Sequence, residues 1–355
     1  MRLPCLLFTF LVVGGSALAQ VPEPQAAAEG AQEVQGGAAP AGLPTAAAVP
    51  ATQTTPRAAI PSATFRSAID LVAVNVVVTD GKQAFVNGLT ADSFAVFEDG
   101  IRQEVSFFAA GDVPLDLAIL LDTSASMTDK LVTAQQAAIG FASTLRPADR
   151  LIVVDIKDMT KVIAPLGTDV EAAKKAILAT TPRGGTGLYN GLYLTLKEMA
   201  KARRASGDVR RQALVVLSDG DDTASLMSFD DVMELSKESG ISVYTITLKS
   251  KWATRQASSP SQRSFSQSDY SMKALAQETG GRSFFPLEIG ELSGVYASIA
   301  EELASQYSLG YTSRNPRKDG SYRRVIVRVD DRPGMQTRAR SGYLSARSAG
   351  AVTAP

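Results

Sequence analysis

Two aspartates, two serines and a threonine are the residues of this chain best suited to chemistry. In ILLDTSASM, residues 119–127, an apolar run ends in Asp122, Ser124 and Ser126. Far downstream, ALVVLSDG, residues 213–220, ends in the same way at Asp219. Between them GGTGLYNGL, residues 184–192, sets Thr186 among glycines that permit unusual backbone angles. These side chains offer only carboxylate and hydroxyl oxygen. Such clusters bind hard cations, cap helices or close turns. Plainer readings therefore stand beside the metal one. Ser124 or Ser126 can cap a helix beginning near Asp129, Thr186 can cap another, and Asp219-Gly220 can be an ordinary turn. Asp221 and Asp222 read as a solvated acidic loop.

Composition narrows the chemistry. The 355 residues include no histidine, which excludes imidazole acid–base catalysis and histidine-ligated metals. No GxSxG follows the leader, so a serine hydrolase lacks both nucleophile elbow and base. Phosphoryl transfer lacks a Walker loop and a second aspartate two residues after Asp122. Lysine plus arginine equals aspartate plus glutamate at 36 each, so no net field draws nucleic acid or an anionic membrane.

The elements that must position these oxygens follow from periodicity. Residues 1–19 read as a secretory signal peptide: basic Arg2, an apolar run at 6–13 and a small-residue site at 17–19. The sole cysteine, Cys5, lies within it, so the mature chain would hold no disulfide. Residues 20–64, rich in Ala and Pro, read as a disordered linker. Residues 65–112 carry strand patterns, with Asp99-Gly100 as a hairpin signal. Across 113–306 near-continuous Val/Ile/Leu strands alternate with helical patterns at 130–145, 170–179, 188–203, 229–238, 271–278 and 292–306. That alternation predicts an α/β fold, a doubly wound, mostly parallel six-stranded sheet covered on both faces. RLIVVDIK and TKVIAPL are joined by too few residues for a crossover, which predicts one antiparallel edge strand. Strand patterns return at 307–345, and with those of 65–112 they are expected to form a small flanking β-sandwich. Residues 346–355 read as a disordered tail, and no segment is apolar for long enough to span a membrane.

In a doubly wound sheet ligands bind beyond the carboxyl ends of the strands, at the switch point. If the first and fourth strands are neighbours there, Asp122 and Asp219 meet, with Thr186 beside them. DTSAS at 122–126, GGTG with Thr186 and LSDG with Asp219, in that order, resemble the metal-ion-dependent adhesion site of von Willebrand factor type A domains. The strand and helix order resembles that family too, and the flanks resemble exported bacterial VWFA-related proteins.

The resemblance implies a metal site of Asp122, Ser124, Ser126, Thr186 and Asp219 holding Mg2+, with Mn2+ or Ca2+ as alternatives. It implies a non-enzymatic protein-binding or adhesion module, secreted or periplasmic, whose protein partner presents an Asp or Glu carboxylate to the ion. The alternatives are a structural or assembly protein with an empty metal site and a Mg-dependent phosphoryl-transfer enzyme. The segment at 249–269, with Trp252 and several basic residues, is expected either as an acidic-partner contact or as an insertion packed locally.

Overall fold

Apolar alternation along 71–110 folds into strands that serve two different sheets. The computed structural model describes residues 71–111, 113–206, 209–219, 221–248 and 266–346. The expected signal peptide and linker within residues 1–70, Trp252 with its segment up to residue 265, and the expected tail from residue 347 lie outside the described residues. The first strands are β1 (Leu71–Thr79), β2 (Phe94–Glu98), β3 (Ile101–Gln103) and β4 (Val105–Ala110). β2 and β3 form a hairpin whose two turn residues, Asp99 and Gly100, both take positive φ (48° and 82°). That is the backbone twist a two-residue hairpin needs.

The α/β domain begins with β5 (Leu115–Asp122), followed by α1 (Leu131–Ala142), β6 (Arg150–Ile156) and β7 (Lys161–Gly167). Next come α2 (Val170–Leu178), α3 (Leu188–Ser206), β8 (Arg211–Ser218), α4 (Phe229–Ser239) and β9 (Ser242–Thr247). α5 (Gln267–Glu278), β10 (Ser283–Phe284) and α6 (Leu292–Ala304) complete it. α5 starts before its apolar pattern because Ser266 and Asp269 form a capping box.

The sheet order is β10-β9-β8-β5-β6-β7, parallel except for β7, which pairs antiparallel with β6 at the edge. Alternate residues of β5 face opposite layers. Leu117, Ile119 and Leu121 pack with Leu131 of α1, Ile177 of α2 and Ile299 of α6. Ala118 and Leu120 pack with Leu192 of α3, Val232 of α4 and Leu275 of α5. Each fully buried Leu or Ile contributes roughly 1.5–3 kcal/mol. β5 is therefore held from both sides, and its terminal Asp122 has little freedom.

The chain returns in β11 (Tyr307–Thr312), β12 (Tyr322–Val329), β13 (Gln336–Arg338) and β14 (Gly342–Leu344). They complete two four-stranded antiparallel sheets, ordered β13-β1-β11-β4 and β14-β12-β2-β3. Val74 and Val76 of β1, Phe94 and Val96 of β2, Leu309 of β11 and Val327 of β12 share one core, so the two sheets form a sandwich. Gly111 N–H donates to the Gln306 carbonyl at 3.2 Å, joining the points where the chain enters and leaves the α/β domain. That junction lies at the amino end of β5. No helix among the described residues is long and apolar enough to cross a membrane.

Candidate functional site

β5 and β8 are hydrogen-bonded neighbours, with Leu121 opposite Leu217, so the residues that follow them emerge side by side. Asp122 is fully buried. Its Oδ1 accepts the Ser124 N–H at 2.9 Å and its Oδ2 accepts the Ser218 hydroxyl at 2.7 Å. No ion pair balances its charge among the described residues. Burial pushes its carboxyl above the ordinary range; hydrogen bonds from Ser124 and Ser218 pull back, and the Asp219 charge adds to the rise.

Ser124 and Ser126 do not act as caps. The short 3-10 turn Ala125–Met127 and helix α1 both begin without a side-chain cap hydrogen bond. Instead the Ser124 and Ser126 hydroxyls lie 2.9 Å apart, and Ser126 Oγ donates to Asp219 Oδ1 at 2.6 Å. The other Asp219 oxygen is taken by the Lys130 ammonium. The Asp219 side chain is fully buried and that of Lys130 is 11% exposed.

The Thr186 loop is tied to both neighbours by backbone bonds. Arg183 N–H donates to the Thr123 carbonyl at 2.9 Å, and Ala125 N–H to the Gly184 carbonyl at 3.0 Å. The Thr186 N–H donates to Thr223 Oγ1 at 2.9 Å, and its carbonyl accepts the Thr223 and Ala224 N–H groups at 2.9 and 3.1 Å. Thr186 is 4% exposed, and its hydroxyl makes no hydrogen bond with the described residues. The capping role belongs to Asp222, whose Oδ1 accepts the Tyr189 N–H at 3.3 Å in the first turn of α3. Asp222 also accepts the Ser225 hydroxyl at 2.6 Å, so it orders this loop rather than merely facing solvent.

Direct contacts thus bring together Ser124, Ser126 and Asp219, and Asp122 joins them through the Ser124 backbone. Thr186 is placed by its loop, with no side-chain bond to the other four. Sequence reasoning missed Lys130, Ser218, Thr223 and Asp158. The Asp158 carboxylate accepts the Gly185 N–H and lies under the Gly184-Gly185 turn. Ser218 directly precedes Asp219 and was readable as a polar neighbour, but nothing in the spacing of Ser218 or Lys130 pointed inward.

The donor set suits a hard cation. It is oxygen only, three donors are uncharged hydroxyls, and Asp122 is a buried carboxylate without a balancing positive charge. No group of three or more His, Cys, Asp or Glu placed to hold a metal ion occurs among the described residues, so hydroxyls and the two aspartates would have to hold any ion here.

Residues 116–284 match the family model of the von Willebrand factor type A domain. This part of the chain has a von Willebrand factor A-like α/β fold. A protein of Mycobacterium marinum described as a "UPF0353 protein" is 28% identical over 211 residues, covering 55% of this chain and 62% of its own length. One from Mycolicibacterium paratuberculosis is 26% identical over 200 residues, covering 53% and 60%. The chain spans about three fifths of the length of these curated relatives. Among solved structures, a von Willebrand factor type A protein from Catenulispora acidiphila aligns with TM-score 0.45 at 13% identity, covering 72% of this chain and 74% of its own. Proximal thread matrix protein 1 from the mussel byssus, with a zinc-occupied MIDAS motif, aligns at 0.44 and 18%, covering 56% and 50%.

Proposed function

We propose that the protein is an exported, non-enzymatic binding module that engages an acidic group of a protein partner through a divalent cation. Asp122, Ser124, Ser126, Thr186 and Asp219 would hold the ion, Mg2+ or its analogues Mn2+ and Ca2+. The ion, when bound, supplies a Lewis-acidic coordination position for a carboxylate. The observation that carries this reading is the run of oxygens from Ser124 through Ser126 to Asp219, beside a buried Asp122 whose charge no ion pair balances among the described residues. Ser218 orients the Asp122 carboxylate and Thr223 fixes the Thr186 backbone, so the protein carries its own positioning groups. Export rests on the leader-like residues 1–19.

The Lys130–Asp219 ion pair favours a second reading: a structural or assembly protein whose site works without an ion. Calorimetry separates the two. Chelator-treated protein is titrated with MgCl2 and MnCl2, and partner capture is compared with and without chelator. Wild type is expected to take one ion, and Asp122→Ala to take none while still unfolding cooperatively. A flat wild-type titration at millimolar ion overturns the metal reading and leaves the ion-free one.

A further inference from the structure

At the other end of β8 from Asp219, a cleft of about 900 Å3 opens between the α/β domain and the sandwich. Arg203, Arg210, Arg317, Lys318, Arg323 and Arg340 line it, and among the described residues Glu238 is the one carboxylate residue in its wall. Two buried carboxylates stand behind this wall. Arg210 pairs with Asp116 at 2.6 Å and Arg323 with Glu98 at 3.3 Å.

Arg340 is different. Its Nε is buried without a hydrogen-bond partner, and its guanidinium makes no hydrogen bond or ion pair with the described residues. It stacks over the Tyr343 ring at 5.0 Å. Nearby, Arg203 donates to the Ser239 carbonyl at 2.5 Å, at the C-terminal end of α4. The Nη1 atoms of Arg340 and Arg203 lie 2.6 and 3.5 Å from the point where a Cβ on Gly240 would sit. Gly240 caps α4 in the left-handed conformation (φ 66°) and leaves room for both. The negative end of α4 offsets only part of the repulsion between two such close cations. Burial, with the Arg203 charge adding to it, pulls the Arg340 guanidinium down to about 10. A charge partly withdrawn from solvent without an acceptor costs stability, and stability given up at one place is the mark of a binding group.

We propose that this cleft binds a small polyanion through phosphate-type oxyanion groups, with Arg340 and Arg203 as the paired forks that grip it. Guanidinium presents two parallel N–H donors to such an oxyanion. The cleft has the volume of a small-molecule site. The proposal does not depend on the metal reading, since the two sites lie at opposite ends of β8.

The test uses the full chain freed of metal on a chelating resin, with sodium pyrophosphate as probe and sodium chloride at matched ionic strength as control. Pyrophosphate is expected to raise the unfolding temperature and to bind in calorimetry, whereas chloride does neither. Arg340→Met should weaken binding at least tenfold. In anion-free buffer the same variant should unfold no earlier than wild type, because it sheds an uncompensated charge. Arg317→Met should weaken binding about threefold, and Arg328→Met, on the surface of β12, should leave it unchanged. The proposal fails if wild type ignores about 10 mM pyrophosphate, if Arg340→Met binds as wild type does, or if that variant is clearly destabilised without anion. Tighter binding of tricarballylate than of pyrophosphate overturns the phosphate assignment.

Discussion

The Lys130 ammonium is paired with the carboxylate of Asp219, and both side chains are almost wholly removed from solvent. Ser126 holds the other oxygen of the same carboxylate at 2.6 Å. One of the two aspartates at this crevice therefore has an internal counter-charge, while Asp122 has none. Removing one partner of a buried pair typically costs about 3–5 kcal/mol, because the other charge is left uncompensated. Lys130→Met is expected to lose about that much stability in chelator. With the cation site proposed above, millimolar Mg2+ should restore much of the loss, and ion affinity should rise about tenfold. Thermal unfolding with and without Mg2+, together with calorimetry, checks both parts. A variant as stable as wild type in chelator would show that the pair is incidental.

The turn that carries Thr186 is shaped by Asp158. A Cβ on Gly184 would lie 2.1 Å from Asp158 Oδ2, and φ at Gly184 is 73°. Left-handed backbone costs a non-glycine residue about 1–2 kcal/mol before any clash. Gly184→Ala should therefore move the loop and lower ion affinity about tenfold, with a modest loss of unfolding temperature. Gly290→Ala, where nothing lies within 4 Å, is the control and should change neither. Calorimetry and scanning calorimetry on the two variants decide it. Equal ion affinity in Gly184→Ala and wild type would show that the turn does not position Thr186.

Much of this architecture was legible because strand periodicity and connection length are local. The short link between β6 and β7 forces an antiparallel edge, and the sheet has one. Asp99-Gly100 announced a hairpin, and both residues take positive φ. The run after that turn was less readable. It divides at Glu104 into β3, paired with β2, and β4, paired with β11 in the other sheet. Nothing in an apolar run says which of two sheets will claim its halves. Among the expected site residues, Ser124 and Ser126 were readable from their place after a buried strand. Lys130 was not, because a lysine at the first position of a helical pattern reads as a solvated residue. Its inward turn depends on a carboxylate 89 positions away. Arg340 was invisible for the same reason: its surroundings come from α3, α4 and the sandwich together.

Glu98 joins the two sheets of the sandwich. It is buried, and its carboxylate accepts the hydroxyls of Tyr311 and Tyr343 at 2.9 Å and Ser313 at 2.5 Å while pairing with Arg323. Burial and then the Glu98 charge hold the Tyr311 hydroxyl far above its ordinary range, so it stays a donor. Glu98→Gln keeps the shape but leaves Arg323 without a counter-charge. The expected loss is about 2–4 kcal/mol in urea denaturation. In the double variant with Arg323→Met the losses should be less than additive, because both changes remove the same pair. Additive losses would show that Glu98 acts through its tyrosine contacts alone.

Asp116, buried in β5, anchors Arg150 at 2.7 Å and Arg210 at 2.6 Å. Burial alone would raise its carboxyl. The hydrogen bonds and charges of Arg150 and Arg210 outweigh that and hold it below the ordinary range. A carboxyl depressed in the folded state contributes stability that is complete above its unfolded value, near pH 4, and is lost as pH falls through the folded value. Asp116→Asn should therefore cost about 3 kcal/mol at pH 7, with two arginines left unbalanced. The gap between variant and wild type should begin to close as the pH drops below about 4, because the unfolded chain then takes up a proton that folded Asp116 still excludes, and should go on closing until the folded carboxyl is itself protonated. Urea midpoints measured from pH 7 down to pH 3 follow that gap. A difference that stays constant across the range would show that the loss comes from altered packing of the amide and not from the charge on Asp116.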